Sequence, residues 1–117
     1  MKSDLVYLVH IKQAMEKIVK YLNKRTKEEF MQDEILQDAV IRQLEIVGEA
    51  TKRLSFELVL KHPEIPWKGM AGLRDVLIHA YAKVDLENIW RVSTQDVPDT
   101  LAKITNLIQL VEKEKRA

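Results

Sequence analysis

Hydrophobic residues recur at spacings of three and four along most of the chain, which is the pattern of an amphipathic α-helix. Lysines, glutamates and other polar residues stand between them, so each segment has one apolar face and one polar face. The pattern predicts principal helices over residues 4–23, 34–54, 72–83, 86–95 and 98–112. The charged segment that follows, residues 113–117, is predicted to fray.

Residues that favour helix starts and stops mark the ends of several of these helices. Asp33 and Asp85 stand where an N-cap is expected, and each can accept a hydrogen bond from the first turn of the helix that follows. Pro63 disfavours helical angles in the residue before it, so a short helix after residue 55 ends there. Pro98 follows a predicted break and stands in the first turn of the last helix.

Composition agrees with a helical protein. The chain has 117 residues with only three glycines and three prolines, too few for the turns of an all-β fold. This length suffices to bury one hydrophobic core. There is no internal repeat, low-complexity tract or linker, so we expect a single domain over residues 1–117. The predicted fold is all-α, an up-and-down bundle of four to five helices.

Three positions carry further expectations about packing. Gly48 stands in the middle of a helix, where glycine costs about 1 kcal/mol relative to alanine, and a close helix crossing would explain it. Gln43 lies within the apolar arc of the same helix, so we expect it to be buried and to need hydrogen-bond partners. Trp67 follows a proline-rich connection and is expected to pin that connection to the core.

Charge and cysteine content narrow the class of protein. Nineteen Lys and Arg against eighteen Asp and Glu give a net charge of +1, so any case for nucleic-acid binding rests on a local patch. The absence of cysteine excludes disulfides and thiolate metal sites, and it favours a cytoplasmic protein. No apolar run approaches the roughly 20 residues of a membrane span, and no signal peptide is expected.

A dedicated metal site is not expected from the sequence. His10, His62 and His79 fall on three different predicted elements, and neither an HExxH motif nor an EF-hand loop is present. Glu45 and Glu49 are one helical turn apart, a spacing that is ordinary on a solvated helix face. We therefore expect neither a metal nor another cofactor.

One short segment concentrates side chains that can do chemistry. Arg74, Asp75, His79 and Tyr81 lie within eight consecutive residues. At about 100° per residue they occupy one polar arc of a helix, and Ile78 stands alone among them. An ordinary solvated face would carry lysine, glutamate and glutamine instead, so the arc suits a site or a contact surface. The opposite, apolar face of this predicted helix consists of Leu73, Val76, Leu77 and Ala80.

An arginine and a histidine suffice in principle to cleave an RNA phosphodiester without a metal. His79 would take the proton of the 2′-hydroxyl or give a proton to the leaving 5′-oxygen. Arg74 would stabilise the charge that develops on the phosphorane-like group. Asp75, one turn before His79, could orient the imidazole. Alternatively, Asp75 caps the helix or pairs with Lys68 or Arg74, and His79 is only a surface residue of the helix without a catalytic role.

Helix geometry places a constraint on such a site. Arg74 and His79 are about 140° apart around the helix axis, so one helix aims both at a single phosphate only with difficulty. Two copies related by a two-fold axis could pool their groups in one cleft. We therefore expect a homodimer, with Ile78 packed near the two-fold axis.

The segment from Arg74 to Tyr81 forms an R-x4-H-x-Y motif and resembles the signature of the HepT-like branch of the HEPN ribonucleases. The resemblance extends over almost the whole chain, because flanking segments also match family segments in the family order. Those segments are residues 36–40, 44–50, 62–67 and 84–86, and Trp90. One departure is Ala80, where the family more often has a polar or small flexible residue.

The resemblance implies a homodimeric, metal-independent ribonuclease toxin of a prokaryotic toxin–antitoxin pair. Arg74 and His79 would be catalytic, with Asp75 in support. The implied antitoxin is a minimal nucleotidyltransferase that transfers AMP from ATP to Tyr81. On a continuous helix Tyr81 lies about 20° from Arg74, where an adenylate would block the substrate phosphate. A second hypothesis with the same fold is a non-catalytic helical module that binds a nucleotidyltransferase.

Overall fold

The computed structural model describes residues 3–116, which form helices joined by short turns. The all-α prediction is confirmed. Within the described range, no helix combines the length and the apolar character that crossing a membrane requires. The α-helices are α1 (Asp4–Leu22), α2 (Lys27–Gln32), α3 (Glu34–Lys52), α4 (Phe56–Lys61), α5 (Trp67–His79), α6 (Leu86–Arg91) and α7 (Val97–Arg116).

The long helices pack side by side in the order α5, α3, α1, α7, so α1 and α3 form the centre of the bundle. Their inward faces carry the apolar residues that the periodicity singled out. Burying one such side chain contributes about 1.5–3 kcal/mol relative to leaving it in water. The most deeply buried side chains of this core include Leu8, Ile11, Ile18, Phe30, Val40, Leu77, Ile89 and Ile104.

The predicted helix caps at Asp33 and Asp85 are confirmed. The Oδ1 atom of Asp33 accepts a hydrogen bond from the backbone N–H of Leu36 at 3.0 Å. The Oδ1 atom of Asp85 accepts one from the backbone N–H of Asn88 at 3.2 Å. Each bond satisfies a backbone donor of the first helical turn, which has no partner within its own helix.

Trp67 holds the proline-rich connection in place, as predicted. Its side chain is buried, and its Nε1–H donates a hydrogen bond of 2.9 Å to the backbone carbonyl of His62. Trp67 is also the first residue of α5, which therefore begins five residues before the predicted start at residue 72. The helix can begin there because the backbone N–H of Met70 already bonds to the carbonyl of Pro66.

The end of α5 differs from the prediction as well. The helix ends at His79, because Ala80 adopts φ −125° and ψ 38°, outside the helical region. Tyr81 instead begins a short 3₁₀ turn, Tyr81–Lys83. The predicted angle of about 20° between Tyr81 and Arg74 assumed one continuous helix, so it is wrong.

The buried face of α5 is only in part the one that the sequence predicted, because Leu73 and Leu77 pack in the core as expected. Val76 and Ala80 were assigned to the apolar face, yet both are exposed, whereas Leu77 is buried. The helix turns the side that carries Met70, Arg74 and Leu77 toward α3. An arginine therefore occupies the middle of the packed face, which apolar periodicity alone could not indicate.

The predicted break before Pro98 is absent. A π-helical turn, Val92–Asp96, joins α6 directly to α7, and the backbone N–H of Val97 bonds to the carbonyl of Val92. In a regular α-helix the ring of Pro98 would collide with the carbonyl four residues earlier. The wider π-turn makes room for this ring, and it tolerates the hydrogen bond that is lost because Pro98 has no backbone N–H. The helix therefore continues through Pro98.

The charged end of the chain is helical rather than frayed, as far as the structure describes it. Helix α7 continues to Arg116, whereas Ala117 lies outside the described residues. Lys113, Lys115 and Arg116 occupy the last turn. Cations at this position interact favourably with the negative end of the helix dipole, which explains why the helix extends into the tail.

Gln43 and Gln37 are the two buried glutamines of α3. Gln43 is buried, as predicted, but its amide makes no hydrogen bond with another described side chain or backbone group. The amide of Gln37, which the sequence did not single out, donates to the carbonyls of Phe30 and Met31 at 2.9 and 3.1 Å. These bonds tie the end of α2 to α3.

Gly48 lies where α3 crosses α5, and the predicted close crossing is confirmed. A Cβ atom built on Gly48 would collide with the Cβ atom of Arg74. It would also lie only 2.9 Å from the Cγ atom of Arg74 and from the carbonyl oxygen of Met70. The missing side chain thus allows the two helices to approach and gives the stem of Arg74 its place against α3.

Substituting Gly48 by alanine should lower the free energy of unfolding by about 1–3 kcal/mol, because the collision outweighs the better helix propensity of alanine. Gly72→Ala is the matched control, since a Cβ atom there would meet no described atom within 4 Å. The control should be neutral or more stable by up to about 1 kcal/mol. Urea unfolding measures both, and a Gly48→Ala variant as stable as Gly72→Ala would contradict the tight crossing.

Candidate active site

The side chains of the R-x4-H-x-Y motif divide between α5 and the turn that follows it. Arg74 lies in the middle of α5 and His79 is its last residue. Tyr81 is the first residue of the 3₁₀ turn, Tyr81–Lys83. Because α5 packs on α3, side chains of α3 complete the surroundings of Arg74.

The guanidinium of Arg74 is held by two carboxylates. Its Nη2 lies 3.0 Å from Oε2 of Glu49 on α3, and its Nη1 donates to Oδ1 of Asp75 at 3.2 Å. Only 22 % of the side chain is exposed, and its Nε is buried without a hydrogen-bond partner among the described residues. Arg74 is therefore a permanent cation fixed at the crossing of the two helices.

Asp75 faces α3 rather than His79. Its Oδ1 accepts a hydrogen bond of 2.7 Å from Nζ of Lys52 and the 3.2 Å bond from Arg74. These bonds, that from Lys52 first, lower the pKa of Asp75 below its ordinary value. Their stabilising effect is therefore complete above the ordinary pKa and is lost as the pH falls through the lowered one.

The contact through which Asp75 would orient the imidazole of His79 is not present within the described chain. No hydrogen bond or ion pair joins the two described side chains, because the carboxylate of Asp75 turns toward the cations of α3. Asp75 pairs with Arg74, as the alternative predicts, and the lysine that it pairs with is Lys52 and not Lys68.

A second arginine, Arg53, follows the last residue of α3 and completes the group of charges. Nε of Arg53 donates to Oε1 of Glu49 at 3.3 Å, and this hydrogen bond is the main cause that raises the pKa of Arg53. We call Glu49, Lys52, Arg53, Arg74 and Asp75 the Arg74 cluster. It contains three cations and two carboxylates, so it has an excess of one positive charge. This local excess can attract a phosphate although the whole chain is nearly neutral.

Sequence reasoning did not find the contribution of α3 to this cluster. Glu49 was assigned to an ordinary solvated face, and Lys52 and Arg53 were not singled out. They lie more than 20 positions before Arg74 in the sequence, so only the helix crossing brings them together. The one available signal was Gly48, whose cost in a helix indicated a close neighbour at that point.

His79, Ile78 and Tyr81 present their side chains to solvent. His79 is exposed, Ile78 is 38 % exposed and Tyr81 is 79 % exposed. Arg74, in contrast, packs on α3, on a side of the helix about 140° from His79. Within one chain the cation and the imidazole thus point in different directions, and the candidate site is an open surface.

A groove of about 520 Å³ runs between α5 and the π-turn, but Arg74, His79 and Tyr81 do not line it. Among residues 3–116, no three or more acidic or histidine side chains come together in a way that could hold a metal ion. The Arg74 cluster and the exposed end of α5 therefore remain the arrangement with usable chemistry.

The chain is similar to proteins that are described as ribonucleases. A family model described as "Ribonuclease HepT-like" matches residues 11–107, which include the whole motif. A candidate RNase of Methanocaldococcus jannaschii is 42 % identical over 97 % of this chain and 94 % of its own length. The probable ribonuclease HepT of Thermococcus cleftensis is 43 % identical over 91 % of this chain and 96 % of its own. A candidate RNase of Caldanaerobacter subterraneus subsp. tengcongensis is 38 % identical over 98 % and 100 %. No solved structure matches the chain at a significant level.

Proposed function

Since this chain belongs to the HepT-like family of ribonucleases, we propose that it cleaves RNA without a metal, at a site formed by Arg74 and His79. The observation that carries this proposal is the pairing of a fixed cation with an exposed imidazole on one helix. Arg74 is held at the α3–α5 crossing, and His79 ends the same helix in contact with solvent.

The chemistry follows from what these two side chains can do. His79 accepts the proton of a ribose 2′-hydroxyl, or donates a proton to the departing 5′-oxygen. The 2′-oxygen attacks the adjacent phosphorus and the bond to the 5′-oxygen breaks, which gives a 2′,3′-cyclic phosphate and a 5′-hydroxyl. Arg74 stabilises the additional negative charge on the phosphoryl oxygens during this exchange.

We further propose that two copies of the chain form the active site. Arg74 packs on α3 while His79 faces solvent, so one copy does not aim both at a single phosphate. Ile78 is 38 % exposed on the polar side of α5, which supports an apolar contact there. A two-fold arrangement would set Arg74 of one copy opposite His79 of the other.

The proposed biological role is that of a toxin whose antitoxin, a minimal nucleotidyltransferase, adenylylates Tyr81. The Tyr81 oxygen would attack the α-phosphorus of ATP, lose its proton and displace pyrophosphate. Its side chain is 79 % exposed, so a transferase can reach it. Because Tyr81 is two residues from His79, an adenylate would add bulk and negative charge beside the imidazole even though the helix has ended.

A second candidate function is a non-catalytic module that binds the nucleotidyltransferase. The observation in its favour is that both terminal nitrogens of Arg74 already contact carboxylates, those of Glu49 and Asp75. In this case the Arg74 cluster would only stabilise the helix crossing. Purified protein would then leave RNA intact.

The two functions are separated by an RNA cleavage assay with EDTA present. Wild type should cut, whereas Arg74→Ala and His79→Ala should each lose at least about 100-fold in rate, because each removes a group that acts in the transition state. His62→Ala and Arg42→Ala, which change the same residue types elsewhere, should cut like wild type.

Mixing the Arg74→Ala and His79→Ala chains tests the shared site. Mixed dimers would carry one intact Arg74 opposite one intact His79, so activity should recover to about a quarter of wild type. A mixture as inactive as its components would show that each copy uses its own residues. Cleavage of RNA by both single variants at the wild-type rate would contradict the enzyme proposal.

Tyr81→Phe should abolish labelling of the chain by a nucleotidyltransferase that is encoded beside it, when ATP labelled at the α-phosphate is supplied. The reason is that phenylalanine lacks the oxygen that receives the AMP group. Tyr7→Phe is the control and should be labelled like wild type. Equal labelling of Tyr81→Phe and wild type, measured by mass spectrometry, would exclude Tyr81 as the acceptor.

A further inference from the structure

We propose that Glu49 is a positioning residue, which orients the guanidinium of Arg74 for the RNA phosphate. This inference rests on the proposed function, because it concerns how Arg74, a catalytic residue in that proposal, is oriented. Glu49 itself need not touch RNA. Its role is to tie the far end of the Arg74 side chain to α3.

The stem and the head of Arg74 are fixed by different contacts. Its Cβ and Cγ atoms lie against Gly48, which fixes where the side chain leaves α5. The guanidinium is then held by Asp75 through Nη1 and by Glu49 through Nη2. Asp75 is the next residue on the same helix, so it can move with Arg74. Glu49 lies on α3, so its contact fixes the guanidinium relative to a second helix.

Glu49 is itself oriented from its other side. Its Oε1 accepts a hydrogen bond of 3.3 Å from Arg53, and its Oε2 lies 3.0 Å from Arg74. Both carboxylate oxygens are therefore in use, each with one arginine. A carboxylate held at two points has little freedom to rotate, so it fixes the direction in which Arg74 points.

The Arg74 cluster keeps a net positive charge even with Glu49 included. Lys52, Arg53 and Arg74 outnumber the two carboxylates by one charge. An incoming phosphate thus meets a group with a net positive charge. The side chain of Glu49 is also 44 % exposed, and ion pairs at such positions add little to stability. The contact is therefore expected to affect the rate more than the stability of the fold.

The test compares Glu49→Ala and Glu49→Gln with a matched variant on the same helix. Glu45→Gln is the control, because Glu45 lies one turn earlier and pairs with Arg42 at 3.7 Å, away from Arg74. Glu49→Ala should lower kcat about 10- to 100-fold, since small misplacements of a catalytic group have effects of that size. Glu49→Gln should retain part of the rate, because its amide oxygen keeps a polar partner beside the guanidinium of Arg74, although the charge is lost. Glu45→Gln should cut at the wild-type rate.

A double variant shows whether Glu49 acts through Arg74. Glu49→Ala added to Arg74→Ala should cause no further loss, whereas added to His79→Ala it should lower any residual rate. Wild-type kcat in Glu49→Ala, or additive losses with Arg74→Ala, would overturn the inference and leave the proposed function intact. Full activity of Arg74→Ala would overturn both. Melting temperatures within error of wild type are expected for Glu49→Gln, and a rate loss that only follows unfolding would contradict a positioning role.

Discussion

The close contact of α3 with α5 at Gly48 is the constraint on which the candidate site depends. Because Gly48 has no side chain, the stem of Arg74 can lie directly against α3. The same contact brings Lys52 within 2.7 Å of Asp75 and Glu49 within 3.0 Å of Arg74. A glycine in a helix weakens that helix by about 1 kcal/mol relative to alanine. At Gly48 this loss of helix stability goes together with the close crossing that places the guanidinium of Arg74.

Much of the helical architecture could be predicted from the sequence, because local patterns determine it. Apolar periodicity located the long helices, and the capping side chains of Asp33 and Asp85 marked the starts of α3 and α6. The predictions that failed depend on tertiary contacts or on local backbone changes. The π-turn before Pro98 and the departure of Ala80 from helical angles leave no clear periodic signal.

The candidate site was predicted only in part, for the same reason. The motif placed Arg74, His79 and Tyr81 close together in the chain, and its resemblance to the family gave each a role that stays a proposal. The contribution of α3 could not be found in this way, because two carboxylates one turn apart look like any solvated helix face. The sequence predicts that Asp75 orients His79, whereas at the helix crossing Asp75 pairs with Lys52.

In the proposed mechanism Arg74 is the cation that meets the phosphate and His79 is the acid or base, which explains how a nearly neutral chain could act on RNA. Most of the surface contributes no net attraction, but the Arg74 cluster has one excess positive charge where a phosphate would approach. His79 stands outside this cluster, exposed at the end of α5. A second copy of the chain would bring such an imidazole to the cation, and modification at Tyr81 would then affect the side that meets the substrate.

The most direct measurement is the identity of the RNA ends that the purified protein produces in the presence of EDTA. Attack by the 2′-oxygen requires a 2′,3′-cyclic phosphate on one fragment and a 5′-hydroxyl on the other. An RNA with a single 2′-deoxyribose at the preferred cleavage position should then resist cleavage there. Products with a 3′-hydroxyl and a 5′-phosphate, or unchanged cleavage at the deoxyribose, would contradict a site built on Arg74 and His79.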